Sequence, residues 1–237
     1  MRSIIVLTAV ALWSAAHGGA AAAASISQSA VNVGGAQAAL LRPVKPRASI
    51  ILMTGGDGYL SIASDGSIGR GAGNQLVRTR EDYARRGFAV LVPDNGVDLA
   101  AAVAYMAKIK RPVTVAGTSR GTQRAARGIA AGARPDRLVL TSGFLSDASG
   151  DSDNVERILG SPSSLPPTLV VHNKLDQCQA TLPAGVQPFI AWSAGRAHVT
   201  WLSGGVSRGR ACGARAYHGF DGLDGRVVAV VAAFAGR

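Results

Sequence analysis

The sequence predicts an α/β protein built on one mostly parallel sheet with helices on both faces. Three observations carry this. Short apolar runs rich in Val, Ile and Leu recur along the chain. Most are apolar on both faces, as strands covered on both sides are. Between them lie stretches with helical spacing, and alternation of this kind belongs to a parallel sheet wrapped by helices.

Ahead of the first run lies a segment of another kind. Arg2 precedes an apolar stretch from Ile4 to Ala16, followed by His17-Gly18-Gly19 and a run of alanines to Ala24. This is the pattern of a secretory signal peptide. Residues 1–24 are expected to be cleaved near Ala24–Ser25, leaving 25–237 as a single exported domain, periplasmic or extracellular. An uncleaved anchor through the alanine extension is the alternative, although the apolar stretch is shorter than the roughly 20 residues that cross a bilayer. No later stretch qualifies, so no stable membrane insertion is expected after cleavage.

Within the domain, Val31–Leu41 is compatible with an antiparallel edge hairpin. Strands are expected at Ala48–Thr54, Phe88–Val92, Pro112–Ala116, Leu138–Thr141, Thr168–His172 and His198–Ser203. Asn74–Arg86 reads as a helix because apolar Leu76 and Val77 recur at helical spacing in Tyr83 and Ala84. Asp98 is a capping residue for a helix to Ile109. Further helices are expected from Arg120 to Ala131 and from Leu223 to Phe234. Ligand sites in such folds lie at the carboxyl ends of the strands.

Composition allows this fold. With 237 residues, 47% hydrophobic and 16% charged, the chain can bury roughly 70% of its unfolded surface and needs neither a metal nor a dense disulfide set to fold. The formal net charge of +11 raises the question of an acidic partner. The arginines are scattered, however, and no nucleic-acid motif or basic run with interleaved aromatics accompanies them, so nucleic-acid binding is not expected. Oligomeric state is not legible.

The chemistry centres on Gly117-Thr118-Ser119-Arg120-Gly121, a G-x-S-x-G that follows an apolar strand and opens a helix. That context is the one a nucleophile elbow requires: the serine sits on a sharp, strained turn, and glycines two residues to either side leave room for the neighbouring strand and helix. A serine hydroxyl is a weak nucleophile near neutral pH, so it needs a general base held by a buried acid. The domain has three histidines. His172 and His198 lie in or at the ends of strands, where a hydrogen-bonded structural role is expected, and His218 lies on a loop before the last helix. Asp176 stands four residues beyond the strand that ends at His172. Asp147, Asp151 and Asp153, after the preceding strand, are the rival acids in a Ser/Gly-rich setting.

The ordered set Ser119, Asp176, His218, with Thr54-Gly55-Gly56-Asp57-Gly58 after the first long strand, resembles the α/β-hydrolase superfamily over nearly the whole mature chain. It is most similar to small secreted bacterial hydrolases of poorly defined substrate that share the G-G-D-G loop, an Asn and Arg in the next helix (Asn74 and Arg78), and a cysteine after the acid. Dienelactone hydrolases are similar in size but use cysteine where this chain has Ser119. The resemblance implies a Ser119–His218–Asp176 triad and an oxyanion hole from the N–H of Arg120 and that of Gly56 or Asp57. It also implies carboxylesterase-like cleavage of a small-molecule ester without cofactor or metal. Phe144–Pro167, short and polar, is the only place for a lid, so little or none is expected. A non-catalytic envelope or binding protein on the same fold is the alternative. Cys178 and Cys212, an even pair in a chain with an export signal, are expected to form a disulfide.

Overall fold

The computed structural model describes residues 25–237; the expected signal peptide lies outside them. Eight strands form one sheet: β1 (Ile26–Val33), β2 (Ala36–Pro43), β3 (Ala48–Met53), β4 (Phe88–Pro93), β5 (Val113–Thr118), β6 (Arg137–Thr141), β7 (Thr168–Asn173) and β8 (Ala197–Leu202). Their order is β1-β2-β4-β3-β5-β6-β7-β8. The pairs β1/β2 and β2/β4 are antiparallel, and every other pair is parallel. The hairpin is longer than the sequence pattern indicates, and its second strand pairs on both sides, so only β1 forms the edge. β1 is half-exposed and half polar, with polar Ser27, Gln28 and Ser29 in succession, which removes the apolar signal that marks a strand.

Side chains alternate across the sheet. Ile51, Met53, Leu138, Leu140 and Val170 face one layer, where they meet α3 (Leu99–Ile109), α4 (Arg120–Ala130), α5 (Val155–Leu159) and α6 (Val186–Trp192). Ile50, Leu52, Val139, Leu169 and Val171 face the other, against α1 (Gln75–Arg78), α2 (Arg80–Arg85) and α7 (Asp224–Ala235). Each fully buried Leu, Ile or Val contributes about 1.5–3 kcal/mol relative to exposure. Both faces are covered, which is why β3 to β7 carry apolar side chains on both sides of the sheet.

The expected helix Asn74–Arg86 is instead two short ones. At Thr79 the hydroxyl bonds back to Gln75 O at 2.8 Å and the backbone leaves the helical region with φ −105° and ψ 4°; such back-bonding competes with the helical ladder. Among the described residues no helix is long and apolar enough to cross a membrane.

Candidate active site

Ser119 joins β5 to α4 with φ 52° and ψ −127°, a conformation that costs a non-glycine residue about 1–3 kcal/mol. It persists because the surroundings fix it. Ser119 N donates to Thr141 O on the next strand at 3.1 Å, and Thr122 N donates to Ser119 O at 2.9 Å. The flanking glycines are sterically required: a Cβ on Gly117 would lie 2.6 Å from Gly121 O, and one on Gly121 would lie 2.0 Å from Met53 O.

β5, β6 and β7 run parallel side by side, so the segments leaving their carboxyl ends meet at one edge. Asp176 follows β7 and His218 sits in a single turn, Tyr217–Gly219, before α7. Both are buried. His218 Nδ1 lies 3.0 Å from Asp176 Oδ2. A carboxylate only accepts, so Nδ1 carries the hydrogen and Nε2 keeps its lone pair. Asp176 Oδ1 accepts from Cys178 N at 2.9 Å. Thr181 Oγ1 donates to Asp176 Oδ2 at 3.3 Å and stands 3.0 Å from His218 Nδ1. Burial alone would raise the Asp176 carboxyl, but contacts with His172 and His218 and the Cys178 N–H outweigh it and hold the group down at about 2.

The turn that carries His218 is fixed through three successive carbonyls. Tyr217 O accepts from Asn173 Nδ2 at 3.3 Å, His218 O from Ser142 Oγ at 2.8 Å, and Gly219 O from Arg78 Nη2 at 2.7 Å. Arg78 is a hub, nearly buried, whose guanidinium also forms a fork with Asp224 at 2.8 Å on each oxygen and donates to Gly73 O and Ala214 O. It ties α1 to the base loop and to α7. Thr181, Ser142 and Asn173 have no signature in the sequence, because each acts by position in space on a loop distant along the chain.

The rival acids are engaged elsewhere. Asp147 pairs with Arg157 and Asp153 with Arg127 at 2.6 Å, both at the surface, while Asp151 accepts from Asp153 N. The other histidines differ from expectation. His198 is exposed, and its ring packs 5.4 Å from that of Phe234 and makes no hydrogen bond to the described residues. His172 is fully buried, yet neither ring nitrogen makes an aligned hydrogen bond; its Nε2 stands 3.5 Å from Asp176 Oδ2. That oxygen is already engaged by His218 and Thr181.

Ser119 and His218 line one cavity of about 410 Å³, with Gly56, Asp57 and Asn74 on its wall. They are not hydrogen-bonded to each other; catalytic bonds in free enzymes are often loose. No residue of Phe144–Pro167 lines it. Its rim comes from the loop after β3 and from Arg210–Ala214, neither of which carries a lid helix. A second cavity of about 410 Å³, between Pro93–Ala100 and α4, contains neither Ser119 nor His218. Among the described residues no cluster of three His, Cys, Asp or Glu side chains stands ready for a metal ion.

Cys178 and Cys212 form a disulfide across 34 positions. Cys178 is buried beside Asp176, and Cys212 lies on the cavity wall, so the bond joins the loop after β7 to the loop that carries His218. A closed loop of this length contributes about 3–4 kcal/mol in the chain-entropy model. The Cys178→Ser/Cys212→Ser double variant is expected to melt about 6–16 °C lower. Calorimetry checks this, and an unchanged melting temperature would deny the bond a stabilising role.

No protein-family model matches the chain, and no curated protein does. Solved structures do. The esterase domain of a Rhodothermus marinus protein is similar over 90% of this chain and 99% of its own, with a TM-score of 0.61 and 16% identity. A Xanthomonas campestris protein described as an α/β serine hydrolase without a lid matches over 86% of this chain and 95% of its own, with a TM-score of 0.57 and 15% identity. A Pyrococcus furiosus esterase matches over 89% and 90%, with a TM-score of 0.58 and 14% identity. At such identities the likeness is one of fold.

Proposed function

We propose that this chain, an α/β-hydrolase in fold, is an exported serine hydrolase that cleaves ester-like bonds. The observation that carries the reading is the buried Asp176–His218 pair opening on the same cavity as a serine held in a strained strand-to-helix turn. Strain, a tautomer-fixing acid and an open pocket have no common structural explanation, whereas acyl transfer needs all three.

Ser119 Oγ attacks the substrate carbonyl while His218 Nε2 takes its proton, and Asp176 stabilises the resulting imidazolium. The tetrahedral oxyanion receives the Arg120 N–H, free because it opens α4, and the N–H of Gly56 or Asp57. His218 returns the proton to the leaving alcohol. Water, activated by the same histidine, then attacks the acyl-enzyme and releases the acid. The lidless cavity suits small or soluble esters. Export is supported by the Cys178–Cys212 bond, since disulfides persist in oxidising compartments.

A fluorophosphonate probe should label the folded protein on Ser119, and an ester panel of graded acyl length should show turnover. A folded protein that neither labels nor hydrolyses any member would assign the fold to a binding role.

A further inference from the structure

We propose that Asn74 is a catalytic residue of this site, donating its side-chain amide to the carbonyl oxygen as that atom gains negative charge. The inference rests on the serine-hydrolase reading above and adds a donor from a side chain to the two backbone N–H groups named there.

Asn74 immediately precedes α1, and its Oδ1 accepts from Leu76 N at 3.1 Å. This bond settles which end of the amide is which: only the oxygen can accept, so the NH2 group points the other way. The nitrogen makes no hydrogen bond to any described residue, although an amide NH2 has two protons to donate. Its position is given by Gly55. The space a side chain would occupy there is closed by Ser119 Cβ at 3.1 Å and by Asn74 Nδ2 at 3.2 Å. The nucleophile and the free amide are therefore neighbours across a glycine, on the wall of one cavity. Thr118 O borders the same space at 3.3 Å but takes no bond from Nδ2.

The donor is also held still, which is what makes it useful. Its own N–H donates to Gly71 O at 2.8 Å, its carbonyl accepts from Arg78 N at 2.9 Å, and the helix behind it is anchored by fully buried Leu76 and Val77 and by the Arg78 fork. A fixed dipole aimed where charge develops costs no reorganisation during the reaction, and removing one such donor elsewhere lowers kcat by roughly a hundred- to a thousandfold.

The alternative is that Asn74 only caps α1. Capping needs an acceptor, whereas the proposed role needs a donor, so substitution separates them. Asn74→Asp and Asn74→Ser both retain an acceptor that caps well, and neither retains the amide NH2. Both are expected to melt close to wild type, to lose roughly a hundredfold or more in kcat with KM little changed, and to bind a boronic-acid mimic of the tetrahedral state more weakly by a similar factor. Asn74→Ala should add a stability loss to the same kinetic defect. Wild-type kcat in both Asp and Ser variants, with only Ala impaired through stability, overturns the proposal and leaves a cap. If one of the two misfolds, the other decides. A wild-type chain that is neither labelled by fluorophosphonate nor active on esters removes the hydrolase reading, and this inference with it; an active wild type with unaffected variants removes this inference alone.

Discussion

Ser119→Ala is expected to fold as the wild type does and to lose ester hydrolysis by roughly ten thousand- to a millionfold. The reason is the separation of roles at this position. The Ser119 hydroxyl makes no hydrogen bond to any described residue, and the bonds that hold the turn, from Ser119 N to Thr141 O and from Thr122 N and Oγ1 to Ser119 O, involve its backbone, which alanine supplies equally. Alanine inherits the positive φ, so the strain is unchanged. Melting should move by no more than about 2–4 °C, the equivalent of about 1 kcal/mol. Ser119→Gly gives a control in the opposite direction: it relieves the strain, so it should be at least as stable and equally inactive. Circular dichroism, melting and steady-state hydrolysis of one active ester test all three statements. A clean Ser119→Ala preparation with wild-type turnover would remove Ser119 as nucleophile.

The second large effect is expected at the acid and the base. His218→Ala should match Ser119→Ala, and His198→Ala, exposed against Phe234, should be near wild type. Asp176→Asn should lose on the order of ten-thousandfold in kcat. The replacement amide can turn its NH2 toward His218, which then carries its hydrogen on Nε2 and has no lone pair for the serine. Asp153→Asn removes a surface ion pair with Arg127 and should change little. Asp176 also predicts a pH effect. Its folded carboxyl is held at about 2, below the ordinary value near 4, so the stability it contributes is complete above about pH 4 and is lost as pH falls through 2. Between those limits the wild type should lose about 2 kcal/mol that the Asn variant does not. Normal activity in Asp176→Asn with inactive Asp153→Asn would move the acid to the preceding loop.

Strands buried on both faces were legible because their own residues report it: β3 to β7 each carry a short apolar run that faces both layers. β1 was only partly legible, since an edge strand with one wet face has no such run. α5 and α6 escaped because each is too short to show two turns of spacing. Thr79 split a helix whose apolar spacing continues through it, by a hydroxyl bond that spacing does not encode. At the candidate site, the order and loop placement of three residue types single out Ser119, Asp176 and His218. The structure brings the latter two to 3.0 Å, and it joins Cys178 to Cys212.

What the sequence determined by itself is whatever depends on local pattern. The doubly covered sheet, the glycine-flanked turn at Ser119, the separation of two cysteines and the position of an acid after one strand and a histidine before the last helix all lie within a few residues of their own signals. What only the tertiary structure decided is whatever depends on which loops meet. It set Thr181 beside the Asp176–His218 pair, Ser142, Asn173 and Arg78 on the carbonyls of the base turn, and His172 in the core with its nitrogens unbonded. It also placed Asn74 Nδ2 and Ser119 Cβ on the same space over Gly55. These contacts join residues tens of positions apart, and a hydrogen bond forms where the packed sheet and helices place its two ends, which no single stretch of chain records.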